Sequence, residues 1–195
     1  MTPTPTDAYP ATLAIAYVEE PRNRLTVFFR IILGIPAMIL YYALVNSTNT
    51  IVIPTLLMLV FRRKYPRWWF DFNLELARLQ MRFGAYLGLL MDEYPSTDEE
   101  QRVDLGLVYP NAEAELNRWL PLIKWLLLLP HYIVLAFLWI GVFIVTLIAW
   151  FAILFTGRYP RGLFAFVVGV NRWTLRVSAY GWLLTTDRYP PFSTD

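Results

Sequence analysis

The chain has 195 residues, of which 57% are hydrophobic, 17% aromatic and only 16% charged, with a net charge of +2. A soluble domain averages about 25% charged residues, so the composition points to a membrane, and the small net charge gives no basis for nucleic-acid binding. The sequence has no cysteine and one histidine, which excludes disulfides, iron–sulfur clusters, thiol nucleophiles and cysteine zinc sites.

The opening "MTPTPTDAYP" (1–10) lacks the basic and apolar regions of a cleavable signal peptide and reads as a flexible tail. "TLAIAY" then alternates with period two, which predicts a short strand. After "EEPRNR", Ile31 to Phe61 carries no Asp, Glu, Lys or Arg. Such a run exceeds the roughly 18 residues that mark a membrane-span candidate, yet as one helix it would be about 46 Å long against a hydrocarbon core of about 30 Å. "NSTNT" (Asn46 to Thr50) would sit near mid-bilayer in a single span, where polar groups are costly. Both ends are basic: Arg22, Arg24 and Arg30 against Arg62, Arg63, Lys64 and Arg67. A transmembrane hairpin over about 24–61 puts the polar stretch in a turn and all the positive charge on one side. Pro36, inside its first helix, removes a backbone donor and is read as packing geometry.

"FRRKYPRWWFDF" (Phe61 to Phe72) stops the crossing, turns at Tyr-Pro and opens a new helix with Pro in its first turn. That helix, about 67–91, sets Asp71, Glu75, Arg78 and Arg82 on one face. An arginine stripe with aromatic flanks predicts an amphipathic helix in the membrane interface. "PSTDEEQR" (95–102) is a polar linker.

The same parts then return. At a shift of 94 positions Arg24 falls on Arg118, Pro36 on Pro130, Tyr65-Pro66-Arg67 on Tyr159-Pro160-Arg161, and Arg78 and Arg82 on Arg172 and Arg176. At a shift of 95, Asp92, Tyr94 and Pro95 meet Asp187, Tyr189 and Pro190, and Tyr17 meets Tyr109 after an indel. The reading is a tandem duplication, repeat 1 over 11–94 and repeat 2 over 103–195. "DLGLVY" is the second strand, the second hairpin spans about 118–155 with its turn near Trp139-Ile140-Gly141, and the second amphipathic helix spans about 161–184. The expected fold is an all-α integral membrane protein with four spans, the two strands pairing outside the bilayer. It is placed in the cell (plasma) membrane, multi-pass, with cytoplasmic termini.

The arginines have two readings. Arg67, Arg78, Arg82, Arg161, Arg172 and Arg176 either snorkel to lipid phosphate or a partner, or Asp71 and Glu75 pair with Arg172 and Arg176 across the repeats.

"WLPLIKWLLLLPHYIVL", "WFAILFTGRYPRGLFAFVVGVNRW" and "LRVSAYGWLLTTDRYPPF" resemble an uncharacterised prokaryotic membrane family, the domain of unknown function 4389. The second half follows that pattern closely, while the first substitutes "FRRKYPRWWFDF" and "DEYPS". The resemblance implies an integral membrane protein and carries no activity or site.

Catalytic chemistry is not visible. His131 stands alone as a ligand, zinc needs about four, and no serine sits in a nucleophile elbow. No metal or cofactor is expected. The expected function is non-enzymatic: an accessory or scaffold subunit binding a membrane partner or lipids. The alternative is a small transporter, channel or lipid-handling protein with a site between the repeats. The expected partners are membrane lipids and a larger membrane complex or homo-oligomer, with no nucleic acid.

Overall fold

A computed structural model describes residues 9–48, 52–97 and 99–195. It is mostly helical. In chain order the elements are β1 (Ala11–Ile15), α1 (Arg24–Phe28), α2 (Arg30–Thr48), α3 (Val52–Leu57) with a π-helical turn (Met58–Arg62), α4 (Arg67–Leu87), β2 (Val103–Leu107), a 3-10 turn (Leu120–Leu122), α5 (Lys124–Leu127), α6 (Leu129–Thr156) and α7 (Arg161–Gly181).

The two strands pair with each other, antiparallel, with Leu13 opposite Leu105 and Ala11 opposite Leu107. Alternation does what it predicts: Ala11, Leu13, Ile15, Val103 and Leu105 are buried while Thr12, Ala14 and Asp104 face outward. The halves cross at this ribbon. α7 packs on β1 and α4 on β2, so each strand lies against the other half's helix. Beyond them α2 packs on α4, α6 on α7, and α1 on α6. The core centres on α7, whose run Val167 to Asn171 is wholly buried.

The amphipathic helices begin where expected and end at Leu87 and Gly181. Just beyond them Leu89 and Leu184 take left-handed conformations, φ 60° and 55°, which turn the chain out of the helix. Tyr9 departs from the flexible-tail reading, since its hydroxyl lies within hydrogen-bond distance of the Arg176 and Arg188 carbonyls, at 3.2 and 3.1 Å. Residues 1–8 lie outside the described residues.

The second hairpin is corrected. α6 runs unbroken for 28 residues from Leu129 to Thr156, straight through Trp139-Ile140-Gly141. That stretch offers no Pro, Asn or Asp to leave the helix, and a lone glycine costs only about 1 kcal/mol. Pro130 lies in the first turn of α6 rather than inside it, where its missing N–H is an orphan anyway. In the first half Asn46, Ser47 and Thr48 are helical, within α2, and the rest of the expected turn, 49–51, lies outside the described residues.

Candidate functional site

Each Tyr-Pro-Arg turn ends one apolar helix and starts α4 or α7. The first is released by Arg63 in a left-handed conformation (φ 51°), the second by Gly157 (φ 74°). In each, the tyrosine is buried and the proline caps the new helix. The Tyr109 hydroxyl donates to the Tyr65 carbonyl at 2.5 Å, and the Tyr17 hydroxyl to the Tyr159 carbonyl at 2.5 Å. The turn arginine lies over the incoming ring: Arg67 is 4.8 Å from the Tyr109 centroid, Arg161 is 5.3 Å from that of Tyr17. Each turn is therefore completed by a tyrosine from the other half.

A groove opens beside each. The first, of about 600 Å³, is lined by Arg62, Arg63, Lys64 and Arg67, by Met58 on its apolar side, and by Tyr109 to Glu113 with Glu115. The second, of about 340 Å³, is lined by Tyr17, Glu19, Thr156, Arg158, Tyr159, Pro160 and Arg161. In the second groove both Glu19 carboxylate oxygens accept from Arg161 Nη2 at 2.8 Å. The hydrogen bond and charge of Glu19 hold the Arg161 guanidinium above its ordinary pKa. In the first groove Arg63 Nη2 donates to the Glu113 carbonyl at 3.0 Å and Arg67 Nε to Asp71 Oδ1 at 3.1 Å. Arg62 and Lys64 are exposed and form no ion pair among the described residues.

The arginine stripe points inward. Arg78 Nε donates to the Leu105 carbonyl of β2 at 3.2 Å and Arg172 Nε to the Leu13 carbonyl of β1 at 2.8 Å. Arg82 donates to the Ser96 carbonyl at 2.7 Å, and Arg176 to the carbonyls of Ser193, at 3.3 Å, and Asp195. Burial lowers the Arg176 pKa below its ordinary value. The ion pairs expected across the halves are replaced by pairs within α4: Asp71 with Arg67 at 3.1 Å and Glu75 with Arg78 at 2.6 Å. The acids find cations one turn away on their own helix, where pairing needs little ordering, while Arg172 and Arg176 are taken up by backbone carbonyls.

Two ion pairs with buried cations went unread in the sequence. Lys124 Nζ lies 2.8 Å from Asp187, and Arg30 lies 2.5 Å from Asp92, which Arg22 also reaches at 2.9 Å. The signal was present, because Arg30 coincides with Lys124 and Asp92 with Asp187 in the internal alignment. His131 is packed: Trp173 Nε1 donates to its Nδ1 at 2.9 Å and Phe192 stacks on it at 3.8 Å. An indole N–H only donates, so the neutral imidazole carries its proton on Nε2, which leaves that nitrogen no lone pair for a metal. Among the described residues no group of three or more His, Cys, Asp or Glu is placed to hold a metal ion.

Residues 119–194 match a domain of unknown function, DUF4389. This stretch contains α5, α6, α7 and the second Tyr-Pro-Arg turn, so the second groove's arginines belong to the matched domain while its Tyr17 and Glu19 come from outside it. No curated protein and no solved structure matches the chain. Among the described residues α6 is the one helix long and apolar enough to cross a membrane, and only 17% of its most apolar window is buried.

Proposed function

We propose that this is a non-enzymatic integral membrane protein, an accessory or scaffold subunit that holds lipid or a membrane partner at its basic turns. The observation that carries the reading is the outer face of α6. The core helix of a soluble protein would be mostly buried; here Ile133, Phe137, Ile140, Phe143, Ile144, Leu147, Phe151 and Phe155 all face outward. Patches of that size mark a lipid or protein interface. α6 carries no Asp, Glu, Lys or Arg, unlike a helix lying in the interface, which keeps a charged face. At about 42 Å it is long enough to cross a core of about 30 Å with tilt. The basic turns then meet the headgroups.

We further read the chain as two tandem copies of one domain. Support comes from contacts that recur at the aligned positions: Tyr17 and Tyr109 on the turn carbonyls, Arg78 and Arg172 on the strand carbonyls, Arg30 and Lys124 on the matched aspartates.

The absence of native cysteine gives a direct test. Single cysteines replace Leu126, Phe143 and Arg158 in membranes of the producing cell, and a membrane-impermeant maleimide is applied from one side. A crossing α6 labels at one end only and is silent at Phe143→Cys. Labelling of both ends from the same side, or of the middle, overturns the crossing. Native pull-down with mass spectrometry of proteins and lipids tests the scaffold role. A lone chain with neither partner nor enriched lipid would sink it.

A further inference from the structure

We propose that the groove at Arg62–Arg67 binds the phosphate of an anionic lipid headgroup, and that in the matching groove at Arg158–Arg161 Glu19 competes for the same place by engaging Arg161. This rests on the membrane reading above and adds a site and an inequality between the halves.

The Glu19 carboxylate is an internal stand-in for the ligand. Its two oxygens sit 2.8 Å from Arg161 Nη2, beside the Tyr17 ring that the guanidinium covers. An anion on the first groove has the same place ready, on Arg67 beside Tyr109. Glu19 stands two positions after Tyr17; two positions after Tyr109 stands Asn111. Asn111 is neutral, and its Oδ1 accepts from the Glu113 and Ala114 backbone N–H groups at 3.3 Å, capping its own turn. Arg67 engages Asp71 through Nε alone, and its outer nitrogens make no hydrogen bond or ion pair among the described residues. A guanidinium so presented suits a phosphate's fork of oxygens.

Charge separates the grooves further. Where the second has Thr156, Gly157 and Arg158, the first has Arg62, Arg63 and Lys64. Four cations face two rim glutamates, Glu113 and Glu115, in the first; Arg158 and Arg161 face Glu19 in the second. Glu115 is engaged by the Asn111 backbone N–H at 3.1 Å. The first groove is also the larger, about 600 against about 340 Å³.

A lipid, rather than free phosphate, follows from what adjoins the cations. Arg62 ends a helical run whose Ile53, Leu57 and Phe61 are exposed, and Trp68 is exposed just past the turn. Acyl chains lie along that apolar surface while the phosphate enters the groove, and clustered cations beside apolar surface at a membrane attract anionic lipid.

Native mass spectrometry of the full chain in detergent, titrated with dioctanoyl phosphatidylglycerol, counts the lipids retained. One tightly held lipid is expected. Asn111→Glu should weaken its binding about tenfold or more, and Glu19→Asn should raise the tight stoichiometry from one to two. Arg62→Gln with Lys64→Gln, which leaves the Asn111 turn intact, should also weaken it about tenfold or more. Unchanged binding in Asn111→Glu or in the Arg62/Lys64 pair overturns the site; one lipid still in Glu19→Asn overturns the competition by Glu19. Inorganic phosphate is the second arm: displacement of the lipid at equal concentration assigns the site to free phosphate and overturns the lipid assignment. Maleimide labelling of α6 reads the membrane placement separately, so failure of binding with normal labelling rejects the site alone.

Discussion

Lys124, with no solvent exposure, holds its ammonium 2.8 Å from Asp187 and 4.6 Å from the centre of the Tyr180 ring. The first half repeats the arrangement with Arg30, 2.5 Å from Asp92 and 4.2 Å from the Tyr86 ring centre. Each cation starts an apolar helical segment, and each acid follows α4 or α7. The pair therefore ties the two ends of a half together. Burial pulls the Lys124 pKa below its ordinary value, against the opposing pull of Asp187, so the acid keeps a costly buried charge in place.

Removing one partner should leave the other uncompensated. Lys124→Met and Asp187→Leu are each expected to cost about 3–5 kcal/mol, and the two together to cost much less than their sum. Thermal unfolding of the detergent-solubilised protein checks this. Additive losses in the double variant would mean the two side chains act separately.

Tyr17→Phe and Tyr109→Phe each remove a hydroxyl donated to the opposite half's turn carbonyl. Each should cost about 1 kcal/mol. Because both rings remain, packing on Phe164 and Phe70 at 5.0 and 5.1 Å is kept. A loss several times larger in either variant would show that the hydroxyl is not the main contribution.

Gly157 and Arg63 close equivalent helices with positive φ, 74° and 51°. Gly157→Ala should lose about 1 kcal/mol and Arg63→Gly should gain a similar amount, since glycine meets no Cβ penalty there. Unfolding midpoints of the two variants moving in the same direction would contradict this account.

Tyr159 is 2% exposed, and burial pushes its phenol up to about 12. The folded chain keeps this proton when the unfolded chain has lost it. The associated stability is complete below the ordinary tyrosine pKa of 10.0 and is lost as pH rises through about 12. Tyr159→Phe should flatten the alkaline fall in unfolding temperature between about pH 9 and about pH 12. The same change should move neutral stability by no more than about 1 kcal/mol, since Thr146 is the side chain that engages this hydroxyl. An alkaline limb as steep as before would rule this group out as its source.

Local pattern determined a good deal. Alternation placed both strands, the Tyr-Pro-Arg turns placed the starts of α4 and α7, and the internal alignment put matched residues at matched contacts. These signals are readable because strand period, proline geometry and helix entry act over a few residues. What the tertiary structure decided was which partner each side chain met. Arg78 and Arg172 read as a surface stripe, yet each ends on a strand carbonyl. The apolar run after Leu128 read as a hairpin, yet stays one helix, because hydropathy reports where a chain is apolar and not where it bends. Helical periodicity puts residues on one face but does not say what covers that face. Here the cover is a two-stranded ribbon, assembled from segments that begin 92 positions apart, at Ala11 and Val103. Only the folded chain brings them together.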